Sequence, residues 1–377
     1  MKAQQDTKPL RVLISGGGTG GHIFPAISIA DAVMRTHPGS EILFVGADNR
    51  MEMQRVPAAG YQIIGLPVAG FDRSHLWRNV KVLFKLWKSI RLARRIVADF
   101  RPDVAVGVGG YASGPTLKAA QRAGVPTVLQ EQNSYAGVTN KLLAKRACAI
   151  CVAYPGMEKF FPAEKIIMTG NPVRKTLFDV TKTQPEAKEE LGFKADKPLV
   201  FVTGGSLGAR TLNNVMIDAV TSGKAAKADF QILWQCGARD ADRCRGAVEG
   251  KLPDNVQLTE FVADMPLVYR AADLVEARAG AGTISELEDL GKACILVPSP
   301  NVAEDHQRHN AEALATRGAA GMVLDADADK RLWTDICTVI ENPQTVKMLS
   351  ENISAMALRD SDTKIVGAIE RALEICI

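Results

Sequence analysis

Leu10-Arg11-Val12-Leu13-Ile14 runs directly into Ser15-Gly16-Gly17-Gly18-Thr19-Gly20-Gly21-His22, and an amphipathic run from Phe24 to Met34 follows. An apolar strand, a glycine-rich turn and a helix start together form an anion site. The turn lets the backbone come close, and the helix presents unpaired N–H groups and the positive end of its dipole. The arrangement returns in mid-chain, with Leu199–Thr203 as strand, Gly204-Gly205-Ser206-Leu207-Gly208 as turn and Ala209–Val220 as helix. Two such units predict an α/β chain of two Rossmann-like, doubly wound domains facing each other across a cleft. Ligands are then expected outside the carboxyl ends of the strands.

Working outward, further strands are expected near Glu41–Val45, Tyr61–Leu66, Asp103–Val108, Val125–Gln130, Ala149–Ala153 and Lys165–Thr169. In the second half they recur near Phe230–Trp234, Val256–Leu258, Leu274–Glu276, Ala293–Val297 and Gly321–Leu324, with helices between. Gly170-Asn171-Pro172-Val173-Arg174 resists regular structure and reads as the hinge. The expected domains are therefore 1–170 and 171–342, with closing helices at about 343–377 packing back on the first.

At 377 residues, 46% hydrophobic and 23% charged, the composition is that of a globular protein of two domains, not a disordered chain. Met1 to Pro9 lacks the apolar core of a signal peptide, and no apolar run is long enough to span a membrane. Seven scattered cysteines fit a reducing compartment, and the lone Cys148-x-x-Cys151 reads as buried thiols, not a zinc or redox site. Net charge is only +4, yet Arg73 to Phe100 carries eight Lys/Arg against one Asp. One localised basic surface follows, and a uniformly basic nucleic-acid binder is excluded.

Gly16, Gly18 and Gly21 satisfy G-x-G-x-x-G, but Asp48 lies too far past the second strand to serve a dinucleotide ribose, so no cofactor is expected. His22, at the mouth of the turn, is either a base or a helix cap. Ala277-Arg278-Ala279-Gly280-Ala281-Gly282-Thr283-Ile284-Ser285-Glu286 follows a strand and opens a helix. Its start can hold a diphosphate and Glu286 can reach a ribose; equally, Thr283 and Glu286 can form a capping box. Gln307 and Asn310 suit sugar hydroxyls because amides donate and accept together. No Asp-x-Asp ends an apolar strand in the first half, and Asp325, Asp327 and Asp329 read as a solvated turn, so no metal is expected. Along 73–100, Leu76, Val80, Leu83, Phe84 and Trp87 share one helical face opposite Arg78, Lys81, Lys85 and Lys88. That pattern suits a bilayer interface, Trp77 included, and it equally suits an ordinary helix covering a sheet.

Taken together the motifs closely resemble the MurG family. The matching segments are Gly17–His22 (G-G-T-G-G-H), Gly109–Pro115 (G-G-Y-A-S-G-P), Glu131–Asn133 (E-Q-N) and Gly170–Arg174 (G-N-P-V-R). Further ones are Gly204–Ala209 (G-G-S-L-G-A), Gly280–Leu287 (G-A-G-T-I-S-E-L) and Asp305–Ala311 (D-H-Q-R-H-N-A). The resemblance implies a GT-B glycosyltransferase moving N-acetylglucosamine from UDP-N-acetylglucosamine to undecaprenyl-pyrophosphoryl-N-acetylmuramyl-pentapeptide. It implies diphosphate contacts at Ser206 and along Ala281, Gly282 and Thr283, ribose at Glu286 and uracil at the Val262 backbone, with Ile284 and Ser285 also among the substrate-binding residues. It places Asn133, Gln307 and Arg174 near the sugar, Thr19, Gly20 and Gly21 along the cleft, and His22 as the base. It also implies peripheral attachment to the anionic cytoplasmic face of a bacterial plasma membrane. Glu276-Ala277-Arg278 departs from the family pattern, which more often has an apolar residue and Ser before Arg. A related glycolipid synthase, a UDP-N-acetylglucosamine 2-epimerase and a non-catalytic nucleotide-sugar binder are the rival readings.

Overall fold

The computed structural model describes residues 8–18, 20–68 and 79–375, with side chains for all of these except 79–81, 83 and 303. The chain divides into two compact units, Met1–Val173 with Leu358–Ile377, and Arg174–Ala357.

The first unit holds β1 (Arg11–Ser15), β2 (Glu41–Ala47), β3 (Gln62–Leu66), β4 (Val104–Gly107), β5 (Thr127–Glu131), β6 (Ala149–Val152) and β7 (Ile166–Met168). All pair parallel, in the order 3-2-1-4-5-6-7. Alternate residues of each strand serve opposite faces. Val12 and Ile14 pack with Ile29, Ile365 and Ile369, while Leu13, Ala105 and Leu129 pack with Ala93, Val97 and Leu117. A parallel sheet covered on both sides leaves no polar face, which is why these strands read as continuous apolar runs.

The second unit holds β8 (Leu199–Thr203), β9 (Gln231–Gln235), β10 (Val256–Thr259), β11 (Leu274–Ala277), β12 (Cys294–Leu296) and β13 (Gly321–Met322), in the order 10-9-8-11-12-13. Each sheet reverses its strand order beside its first strand, β1 in one and β8 in the other. In this fold class that switch point is where ligands bind. Trp234, fully buried, donates its indole N–H to Asn213 Oδ1 at 2.9 Å, and Asn213 Nδ2 donates to the Cys236 carbonyl at 2.9 Å.

Two expectations are corrected. The closing helices divide: Ser361–Ile375 covers the first sheet, but Pro343–Met356 belongs to the second unit, its Leu349 buried in that unit's core. An apolar stripe shows that a helix packs, not on what. Among the cysteines, Cys151, Cys236, Cys244, Cys294 and Cys337 are free thiols, whereas half-buried Cys148 is disulfide-bonded and not a reduced thiol. Cys151 is fully buried, and desolvation pushes its thiol up to about 12, so it is inert.

The helix Asn79–Phe100 uses Ala93, Ile96 and Val97 to cover the sheet. Phe84 and Trp87 stand 66% and 57% exposed, so sheet packing does not account for them. Leu76 and Trp77 lie outside the described residues, as do the side chains of Val80 and Leu83.

Candidate active site

In the first unit β1 ends in the glycine turn, and the helix Gly20–Thr36 starts just beyond it. The expected anion cradle is already filled from within the chain. Glu52, 1% exposed, accepts from the Gly18 N–H through both oxygens (3.1 and 3.2 Å) and from the Ala47 N–H at 3.0 Å. A Cβ on Gly17 would stand 2.1 Å from Glu52 Oε1, so glycine is needed there for the carboxylate and not for a phosphate. This corrects the sequence reading of the turn; a carboxylate arriving from 34 residues away leaves no local signature. Glu52→Ala would remove the acceptor of the buried Ala47 N–H and of the more exposed Gly18 N–H, and urea unfolding should register a loss of about 1–3 kcal/mol. An unchanged midpoint would mean that the turn holds itself.

His22 lies half-buried in the first turn of Gly20–Thr36, with Gly20 and Gly21 beside it; Thr19 is outside the described residues. A Cβ on Gly109 would meet His22 Nε2 at 2.9 Å, and one on Gly110 would meet the Gly17 carbonyl at 2.4 Å. The two glycine turns therefore pack backbone to backbone, with the imidazole seated against the second. At the end of β5, buried Glu131 accepts from the N–H groups of Asn133 (3.2 Å) and Gly137 (3.0 Å) and from Asn140 Nδ2 (2.9 Å). Asn133 Nδ2 also reaches it, at 3.3 Å. Asn133 is thus oriented by a buried carboxylate whose own pKa desolvation raises and these four bonds lower.

In the second unit the turn after β8 is tight. A Cβ on Gly208 would stand 2.0 Å from the Cys236 carbonyl, while Ser206 is exposed at the tip. Gln235 ties the neighbourhood together, donating to Thr203 Oγ1 at 3.0 Å and accepting from the Val262 N–H at 2.8 Å. The Val262 N–H is therefore engaged, which leaves its carbonyl as the group able to meet a base.

The helix Ala281–Leu290 begins after Gly280, and no side chain caps it. The amides of Ala281, Gly282 and Thr283 thus open the helix, with Ile284 and Ser285 buried behind them. The capping-box alternative fails, because Thr283 lies inside the first turn and Glu286 is held elsewhere. Arg174 Nη2 donates to Glu286 Oε1 at 2.8 Å and Tyr269 Oη donates to Oε2 at 3.1 Å. Gln307 accepts from the Ser299 N–H at 2.9 Å, which leaves its amide NH2 to donate. Asn310 is fully buried, with Nδ2 3.4 Å from the Ala279 carbonyl.

Asp325 is not a solvated residue, contrary to expectation. It pairs with Arg278 at 2.5 Å and accepts from Thr211 at 3.0 Å, while Arg278 also donates to the Val297 carbonyl at 3.1 Å. The guanidinium thereby fixes the turn after β12. Glu276, fully buried in β11, has no hydrogen-bond partner for either oxygen among the described residues. Burial pushes its carboxyl up to about 8, with Arg278 opposing. Among the described residues no three His, Cys, Asp or Glu gather as metal ligands.

Sequence reasoning did not find Glu52, Gln235 or Tyr269. The only trace of Glu52 was an acidic residue in a helix first turn, and the only trace of Tyr269 a phenol within an apolar helix.

Residues 12–152 match the glycosyltransferase family 28 N-terminal domain, and residues 199–365 match its C-terminal domain. The chain is 57% identical over 372 residues to the UDP-N-acetylglucosamine--N-acetylmuramyl-(pentapeptide) pyrophosphoryl-undecaprenol N-acetylglucosamine transferase of Bacteroides thetaiotaomicron, covering 97% of this chain and 99% of that one. It is 50% identical over 375 residues to the protein of the same name from Porphyromonas gingivalis, covering 99% and 98%. Among solved structures it resembles MurG of Acinetobacter baumannii, with a TM-score of 0.77 and 28% identity over 96% of this chain and all of that one. The UDP-GlcNAc 2-epimerase of Neisseria meningitidis, at 14% identity and a TM-score of 0.65, shares the fold alone.

Proposed function

Because the chain belongs to the MurG family of N-acetylglucosamine transferases, we propose that it transfers N-acetylglucosamine from UDP-N-acetylglucosamine to N-acetylmuramyl-pentapeptide on undecaprenyl pyrophosphate. The acceptor is the 4-hydroxyl of the muramyl sugar, and the product is a precursor of peptidoglycan. The observation that carries this reading is the uncapped start of Ala281–Leu290 with a carboxylate fixed one turn in. Helix N–H groups there suit a diphosphate, and Glu286 suits the ribose hydroxyls.

The remaining groups are assigned by their chemistry. The Val262 carbonyl accepts from the uracil N3–H, and Ser206 caps the diphosphate. The free NH2 of Gln307 and the side chain of Asn133 take sugar hydroxyls. Arg174 meets the charge that builds on the leaving UDP. On the acceptor side, Thr19, Gly20 and Gly21 are assigned to the cleft together with His22. The imidazole takes the proton of the 4-hydroxyl as that oxygen forms its bond to the anomeric carbon. The bond from that carbon to the diphosphate oxygen breaks in line, UDP departs with the electron pair, and the anomeric configuration inverts.

The test is UDP release from UDP-N-acetylglucosamine with and without a lipid-linked muramyl-pentapeptide acceptor. Release that depends on the acceptor is expected. Epimerisation of the donor without acceptor, or nucleotide binding with no turnover, would overturn the reading.

We propose further that the protein attaches peripherally to the anionic cytoplasmic face of the bacterial plasma membrane. No helix among the described residues is long and apolar enough to cross one. Exposed Phe84 and Trp87 have rings 6.1 Å apart, and Lys85, Lys88 and Arg91 are exposed on the same helix. Each basic residue near an anionic leaflet contributes about 1 kcal/mol, and the two rings add apolar burial. Replacing both Phe84 and Trp87 by Asp should weaken co-sedimentation with anionic vesicles by more than about tenfold. Unchanged sedimentation would return this helix to a purely structural role.

A further inference from the structure

Glu286 is held at both oxygens, but by two unlike partners. Tyr269 is 3% exposed and its ring meets Phe201 edge-on, with centroids 6.2 Å apart and planes at 79°. Phe201 is itself fully buried in β8, the strand that ends at the Ser206 turn. The phenol is therefore locked by the sheet, and its hydroxyl donates to Oε2 at 3.1 Å. Arg174 donates to Oε1 at 2.8 Å from a side chain that is 42% exposed, a bond that an arriving hydroxyl can exchange.

We infer that Tyr269 is a positioning residue for donor selection: its hydroxyl fixes Glu286 Oε2, so that Oε1 alone is presented to the ribose. The inference rests on the ribose role of Glu286 proposed above. Without the phenol the carboxylate can turn with Arg174 and offer either oxygen, and its aim at the diol is lost. Desolvation, together with the negative charge of Glu286, raises the phenol well above its ordinary value, so it remains a donor at every working pH.

Tyr269→Phe removes the hydroxyl and keeps the ring on Phe201. Donor KM should rise about tenfold, as expected for losing one hydrogen bond to a charged group, while kcat and acceptor KM stay within about twofold. The ratio of donor KM values for the 2′,3′-dideoxyribose analogue and the natural donor should fall toward one. Glu286→Ala is measured beside it. If Glu286→Ala leaves that ratio at its wild-type value, the ribose role fails. If Glu286→Ala abolishes the ratio and Tyr269→Phe preserves it, the positioning role is overturned. In the Glu286→Ala background Tyr269→Phe should change donor KM no further. A second rise of equal size would mark a packing effect and would also overturn the inference.

Discussion

His22→Ala is expected to lower kcat by about a hundred- to ten-thousand-fold, the range for removing a positioned general base, with donor KM within about twofold of wild type. The expected split follows from the roles proposed above, in which most donor contacts come from one unit and the base from the other. Arg174, Ser206, Val262, Glu286 and Gln307 all belong to the second unit, whereas His22 belongs to the first. The imidazole sits in the first turn of Gly20–Thr36 against Gly109, where a Cβ would stand 2.9 Å from Nε2. On the proposed mechanism its loss removes the proton acceptor and leaves the second unit's donor contacts in place. Steady-state kinetics with both substrates varied gives the answer. A kcat close to wild type would assign the proton to another group, and a large rise in donor KM would make His22 a binding residue.

Glu276→Met is expected to stabilise the second unit and to flatten its response to pH. Glu276 pairs in register with Val202 and Ile295, two core residues, and neither oxygen has a hydrogen-bond partner among the described residues. The sign follows from linkage. Below the unfolded value of 4.5 both states hold the proton and the acid costs nothing extra. As pH rises the unfolded chain releases its proton while the folded chain keeps it, so stability falls until about 8. That displacement corresponds to roughly 4–5 kcal/mol, and methionine of similar length removes it without opening a cavity. Half-buried Glu288, also raised to about 8, adds a slope of the same sign, so the difference between variant and wild type isolates Glu276. Denaturant unfolding at pH 5 and pH 8 should show a gain several kcal/mol larger at pH 8. Equal gains at both values would mean that Glu276 is ionised in the folded protein.

The strands were legible because a parallel sheet buried on both sides writes apolar runs such as Leu199–Thr203 and Ala149–Val152. The turns were legible because only glycine tolerates contacts like that of Gly208 with the Cys236 carbonyl. What fills a turn was not legible. The two glycine turns look alike in sequence, yet one encloses Glu52 and the other leaves Ser206 at an open tip. The difference depends on a side chain delivered by a separate helix. Asp325 was misread for the same reason, since its partner Arg278 lies in a different loop. Glu286 was found through helix-start chemistry, but the phenol and guanidinium that aim it come from segments 17 and 112 residues away.

The most direct test is a crystal structure of this chain with UDP-N-acetylglucosamine bound. The account predicts diphosphate density at the start of Ala281–Leu290 and at Ser206, with the ribose on Glu286 and the Gly16–Gly18 turn still closed on Glu52. Diphosphate density on the Gly16–Gly18 turn, with Glu52 displaced, would contradict it.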